Sequence, residues 1–356
     1  LIYGNLSQYG KKDGKNIFRG GFSMSNSSND KFKNAKRNIV EKIKQKLPWI
    51  PEDIQDTDSI PKGDMPGDKI KISSQHIQKA QVIFPKLLEL LIPILDENPY
   101  QRVVITICGG SGAGKSEIAS IISYYLNCLG LDSYILSGDN YPRRIPKYND
   151  AERLRIFRKS GIEGLISNGE YTEERHAILK KIQESGNDSN PDYVKSYPWL
   201  SVYQSAGRNG LKNYLGTTDE IDFKRLNGII SRFKKGESRI FLKRMGRKET
   251  ELWYDSVDFN NKKILIIEWT HGNSKNLKGV DIPILLDSTP QETLRHRRSR
   301  NRDGATDSPF TKMVLGIEQE VLMLHAPKVK IILSKSGKIM AYKDFAKLIV
   351  KEKYRK

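Results

Sequence analysis

Residues 102–117 read RVVITICGGSGAGKSE, and this stretch decides the fold. Its first half is a continuous apolar run ending in glycines, the pattern of a strand buried on both faces of a sheet. Its second half holds Gly109-x-x-x-x-Gly114-Lys115-Ser116, the Walker A pattern. The residues that follow, KSEIASIISYYLNCLG (115–130), carry a helical pattern stopped by Gly130. Strand, glycine-rich loop and helix in that order are the context a phosphate loop needs. Glycines let successive backbone N–H groups face a phosphate, and the helix start adds its positive end. The expected nucleotide-binding set is therefore Gly109, Gly110, Ser111, Gly112, Ala113, Gly114, Lys115, Ser116 and Glu117. Lys115 is expected to reach the β- and γ-phosphates, and the Ser116 hydroxyl to ligate Mg²⁺.

Outward from this stretch the chain alternates strands and helices. DSYILSGD (132–139), KKILIIEW (262–269), DIPILLD (281–287) and KVKIILS (328–334) read as further strands. Such alternation predicts an α/β fold, a three-layer P-loop sandwich with a mainly parallel sheet. In an open parallel sheet the carboxyl ends of the strands meet at the ligand. That places Glu268, at the end of ILIIE, beside the phosphates as a second metal ligand; its plain alternative is a strand-end carboxylate with no task. The stretch 293–304, TLRHRRSRNRDG, packs five arginines into eight residues, with Arg295, Arg298 and Arg302 on one side of a helix. The cluster repels itself unless anions meet it. A solvated basic helix is the alternative.

The rest of the composition sets bounds. The chain has 356 residues, 37% hydrophobic and 29% charged, as in a soluble globular protein with a sizeable core. Its longest apolar candidate, VIFPKLLELLIPIL (82–95), is too short to span a bilayer and carries Lys86 and Glu89, so it reads as a buried helix. Two cysteines, Cys108 and Cys128, and no signal peptide point to a reducing, cytoplasmic setting, and their spacing makes no metal site. A net charge of +19 fits either a lysine-rich surface or an anionic partner. Without an RNP-like, helix-turn-helix or zinc-finger pattern, phosphate chemistry is favoured over nucleic acid.

The expected organisation is a partly irregular N-terminal extension over 1–80 and a P-loop domain over 81–356. Residues 1–35 lack periodicity, and 36–47 suit a basic amphipathic helix. Residues 48–69, with four prolines, suit a loop or wrap-around arm. SSQHIQKAQVIFPKLLELLIPIL (73–95) predicts a Ser-capped helix interrupted near Pro85. Residues 150–215 read as an acceptor-side insertion, 238–259 as a β-hairpin and 293–312 as a lid.

Taken in order, these motifs resemble the phosphoribulokinase/uridine kinase group of P-loop kinases, which includes a bacterial pantothenate kinase, over roughly residues 85–335. The anchors are GGSGAGKSE, SGDNYPRR (137–144), TDEIDFKRLNGIISRFKKGE (218–237), the hairpin, IIEWTHG (266–272) and the arginine run. The resemblance implies transfer of the γ-phosphoryl group of ATP, with Mg²⁺, to a hydroxyl of a small metabolite. Asp139 would be the general base or a water-mediated Mg²⁺ ligand, and Lys115 and Arg298 would act on the transferring group. Arg295 and Arg302 would close on the nucleotide. Tyr141, Arg143, Arg144, Asp219 and Asp222 would line the acceptor pocket, with Asp222 alternatively capping the next helix. The two arginines suggest an anionic acceptor. Trp269 departs from the family, where a glycine usually follows the acid, and is expected to reshape the pocket floor. A homodimer is left open. SGDNYPRR and NDAERLRIFRKSG (149–161) also resemble adenylylsulfate kinase. Readings of another kind are a nucleotide-dependent switch, which would not need Asp139, and a nucleic-acid-stimulated NTPase.

Overall fold

The computed structural model describes residues 39–57, 59–294, 297–298 and 308–353. Five parallel strands form the sheet: β1 (Val103–Gly109), β2 (Ser133–Ser137), β5 (Ile264–Glu268), β6 (Ile282–Leu286) and β7 (Ile331–Leu333). A two-residue strand, β8 (Ile339–Met340), adds antiparallel to β7, giving the order β2-β5-β1-β6-β7-β8. The remaining strands, β3 (Arg239–Met245) and β4 (Leu252–Asp258), form a separate antiparallel hairpin. The α/β expectation is therefore met, and all five strands expected for the sheet are present, β7 as only three residues. β8 went unread because two residues carry no period.

The alternation of side chains along each strand explains the layers. In β1 and β5, Val103, Ile105, Ile107, Ile264 and Ile266 face one core with helices α1 (Ser74–Glu97) and α2 (Lys115–Cys128). Val104, Leu265 and Ile267 face the other, against α6 (Phe223–Lys234) and the inner face of the hairpin, Ile240 and Leu242. α1 starts with the expected Ser73 capping box but runs unbroken through Pro85 and Pro93. Pro85 is exposed, so its ring lies on the solvent side of the helix, away from the core face. Meanwhile Phe84, Leu87, Leu88 and Leu91 anchor the helix to the sheet. The expected break is thus absent, and the boundary expected at residue 80 falls inside α1. Upstream, Trp49 packs on Phe84 and Tyr125, so the proline-rich stretch lies against the domain as an arm.

Residues 146–214 form a helical lobe of α3 (Pro146–Ser167), α4 (Glu173–Glu184) and α5 (Leu200–Tyr214). α3 and α5 approach closely because each offers a Gly-x-x-Gly pair to the other. A Cβ on Gly161 would lie 2.5 Å from the Tyr203 ring, and one on Gly207 would lie 2.7 Å from Phe157. α7 (Pro309–His325), capped by Ser308, and α8 (Tyr342–Lys353) complete the domain. The two cysteines are not joined, and no helix among the described residues is long and apolar enough to cross a membrane.

Overpacking a helix contact costs roughly 1–3 kcal/mol. Gly207→Ala should lower stability by about that amount in urea unfolding. Gly228→Ala, on the open face of α6 with nothing within 4 Å of its Cβ position, should be neutral or stabilising.

Candidate active site

The parallel register delivers the chemistry to one edge. Ile107 and Ser137 both pair with Glu268, and Gly109 pairs with Leu286, so β1, β2, β5 and β6 end side by side. The Walker A loop follows β1. Gly112 and Gly114 adopt left-handed φ values of 79° and 86°, and Gly114 begins α2. Lys115 Nζ donates to the Gly110 carbonyl at 3.1 Å, curling back over its own loop.

Glu268 sits at the centre, 5% exposed. Ser116 donates its hydroxyl to Glu268 Oε2 at 3.1 Å, and Ser137 donates to Oε1 at 2.5 Å. Burial, with the Asp139 carboxylate nearby, pushes the Glu268 carboxyl up to about 7, against the pull of Lys115. Ser137 was not foreseen; its only sequence signal is a small polar residue ending β2 just before Gly-Asp. Asp139 itself is exposed, on the single helical turn Gly138–Asn140 that follows β2. Trp269 lies beneath that turn: a Cβ on Gly138 would fall 2.1 Å from its Cγ. The indole is buried between the turn, Phe223 and His271, so it supports the turn from below instead of facing an open pocket.

The expected acceptor residues meet in space, in different settings. Residues 141–143 run antiparallel to 220–222, with Asp222 N donating to Tyr141 O and Arg143 N to Glu220 O. Tyr141 is fully buried in the core, which corrects its placement in the pocket lining. Asp222 caps α6 by accepting from Arg225 N, the alternative left open for it. Asp219 is exposed in the turn before it. Arg143 Nε donates to the Thr218 carbonyl at 2.7 Å. Arg144 donates to the Tyr214 hydroxyl at 3.0 Å and lies 3.6 Å from Glu152.

The buried acid of this segment is Glu220, between the two aspartates. It accepts from Asn149 Nδ2, from Gly216 N and from Arg153 at 2.6 Å. Arg153 also lies 3.5 Å from Glu318 of α7. Burial raises the Glu318 carboxyl to about 7 despite Arg153, and Asp139 and Lys115 are near enough to act on it. Behind this group, burial lowers His271 to about 4. None of Arg153, Glu220, Glu318 and His271 was singled out by the sequence pattern, because each is defined by a partner far along the chain.

Of the arginine run, Arg295 and Arg302 lie outside the described residues. Arg298 is exposed. It is Arg297 that touches the loop: it donates to Pro290 O and Thr293 Oγ1, and its Cγ is 3.3 Å from the Cβ position of Gly112. Ser288, just past β6, keeps a buried hydroxyl that has no hydrogen-bond partner among the described residues, beside Gly110. Beyond it a cavity of about 470 Å³ is lined by Asp287, Ser334, Lys335, Met340, Phe345 and Ile349.

A family model for adenylylsulphate kinase matches residues 101–153, which span β1, the loop, α2, β2 and the Asp139 turn. The chain is also 37% identical over 254 residues to the bifunctional alpha-galactosidase/sucrose kinase AgaSK of Mediterraneibacter gnavus. That match takes in 71% of this chain, which spans about a fifth of the relative's length (22%). Two solved structures are similar to it. One is a candidate fructose transport system kinase from Silicibacter sp. TM1040, at 14% identity and TM-score 0.41, covering 68% of this chain and 93% of the other. The other is a candidate uridine kinase from Bacillus stearothermophilus, at 16% identity and TM-score 0.32, covering 63% and 91%.

Removing the cation from a buried ion pair leaves its carboxylates uncompensated, at about 3–5 kcal/mol. Arg153→Met should destabilise the chain by about that amount in urea unfolding. The loss should be smaller at pH 5 than at pH 8, because the abandoned Glu220 and Glu318 carboxyls can then bind protons.

Proposed function

We propose that this chain is a Mg²⁺-dependent kinase that transfers the γ-phosphoryl group of ATP to a hydroxyl of a neutral sugar. The observation that carries the reading is the convergence of Ser116, Glu268 and the Asp139 turn at one sheet edge beside the Walker A loop. The donors suit Mg²⁺: all are oxygens, two of them carboxylates, and that ion takes its other ligands from phosphates and water. Among the described residues no group of three or more His, Cys, Asp or Glu is arranged to hold a metal, which also fits an ion shared with a nucleotide. Ser116, Glu268 and Asp139 would hold it, and its contribution when bound is to offset charge on the phosphates.

The chain's own residues divide the remaining work. Lys115, now turned onto Gly110 O, has only to swing outward to meet phosphate oxygens. Asp139 accepts the proton of the acceptor hydroxyl as that oxygen bonds to the γ-phosphorus and the bond to the β–γ bridging oxygen breaks. Arg297 and Arg298 stand at the start of the lid, where guanidinium charge meets the transferring group. The buried Ser288 hydroxyl, with no partner among the described residues, and the cavity beyond β6 suit the rest of the nucleotide.

Two considerations favour a sugar as acceptor. Glu152 lies 3.6 Å from Arg144 and offsets its charge, while Arg143 is turned onto the Thr218 carbonyl, so the wall offers less uncompensated positive charge to an anion than the sequence implied. The other is the relative named for sucrose kinase activity. A Walker A loop belongs with the kinase part of that name, since glycoside hydrolysis rests on a carboxylate pair flanking the scissile bond. The adenylylsulphate kinase match covers elements that either acceptor would need.

Incubation of the chain with ATP, Mg²⁺ and a panel of sucrose, glucose, fructose, uridine and adenylylsulfate, read by mass spectrometry, should add phosphate to a sugar. Phosphorylation of adenylylsulfate alone would transfer the assignment, and nucleotide binding without any product would favour a switch. Asp139→Asn should keep nucleotide affinity within a few fold and lower turnover about 10²–10⁴-fold. Unchanged turnover would remove the base.

A further inference from the structure

The arm before α1 does more than cover the sheet. Among the described residues β2 is the edge strand of the sheet, paired on one side only, to β5. On its other side Ser137 N donates to Asp64 Oδ1 of the arm at 2.7 Å. The same oxygen accepts from Asn140 Nδ2 at 3.1 Å. Asp64 Oδ2 accepts from the Tyr134 hydroxyl at 3.0 Å and from Arg244 Nη1, on the hairpin, at 2.9 Å. One carboxylate, 8% exposed, thus receives four donors from two separate parts of the chain, β2 with its following turn and the hairpin.

The placement of two of those donors matters most. Ser137 and Asn140 bracket the turn that carries Asp139, and both are held by one Asp64 oxygen. The Ser137 hydroxyl goes on to Glu268, so the grip extends to the second carboxylate of the site. The other end of the turn is tied by Asn140 Oδ1, which accepts from Met245 N of β3. A charged acceptor satisfied by four donors is rigid in a way a neutral side chain with one acceptor oxygen cannot match. A shift of about 1 Å in a reacting group can cost on the order of 10²-fold in rate.

We propose that Asp64 is a positioning residue for phosphoryl transfer: the arm clamps the turn 137–140 from outside the sheet and so holds Asp139 and Glu268 in register with the Walker A loop. This rests on the reading of Asp139 as the group that takes the acceptor proton. The arm is then a required part of the active site, although it lies outside the strand-loop-helix elements that form the site's centre.

The test uses the full chain with ATP and Mg²⁺, with sucrose as acceptor and, in parallel, with water as acceptor in an ATP hydrolysis assay. Asp64→Asn, Tyr134→Phe and Asp139→Asn are compared for kcat, for KM of ATP and for cooperative urea unfolding. Asp64→Asn should lower kcat about 10- to 100-fold with KM for ATP nearly unchanged in folded protein. Tyr134→Phe, which removes one donor and keeps the ring against Phe259, should lower kcat less, in the same pattern. A folded Asp64→Asn with wild-type kcat overturns the proposal, as does a loss of kcat that only follows the unfolded fraction. If Asp64→Asn does not fold, wild-type kcat in Tyr134→Phe overturns it. If Asp139→Asn keeps full turnover, the base reading fails and this inference with it. If Asp139→Asn is inactive and Asp64→Asn is normal, only the clamp fails.

Discussion

A buried carboxylate at the end of β5 organises this molecule. Glu268 leaves water at a cost that its surroundings must offset, and they do so with Ser116 from the Walker A helix and Ser137 from β2. Those two hydroxyls join three elements that are far apart in sequence, and parallel pairing brings them to one level. Because the Glu268 carboxyl is raised to about 7, the residue is poised to gain from a nearby cation. The sheet order, the Gly138–Trp269 contact and the arm's hold on Ser137 all tune where that carboxylate and Asp139 stand.

The helical lobe follows different rules. Its α3–α5 contact is set by glycines that let backbones approach, with aromatic rings closing over them. Its link to the rest of the domain is partly apolar, through Phe157 on Phe310 and Leu211 with Val314 and Ile317, and partly ionic: Arg153 on α3 reaches Glu220 before α6 and Glu318 on α7. A buried ion pair adds little net stability, but it fixes geometry, since any rearrangement strands a charge. The lobe is therefore joined near the phosphate loop by a contact with a narrow range of acceptable positions. Under the proposed reaction this wall would face the acceptor.

Charge accounting also reshapes the acceptor question. A net charge of +19 and two arginines after Asp139 read as an invitation to an anion. In the folded chain those arginines satisfy carbonyls, a phenol and Glu152, while the buried arginines Arg102 and Arg244 serve the framework. Of these four, Arg144 and Arg244 also meet a carboxylate, Glu152 and Asp64.

The sequence by itself determined the Walker A loop, the five parallel strands, the hairpin and the strand-end placement of Asp139 and Glu268. These follow from local periodicity and from the rule that parallel strands share a carboxyl edge. Local composition also suggested the arm and left Asp222 open as a cap. The tertiary structure alone decided which acid of TDEID is buried, that Tyr141 belongs to the core, that α1 runs through Pro85, and that Arg297 is the arginine against the loop. It alone paired Asp64 with Ser137, 73 residues on, and with Arg244, 180 residues on. The physical reason is the range of the forces. Backbone periodicity is written within a few residues, whereas the compensation of a buried charge is set by whichever donors folding brings within about 3 Å.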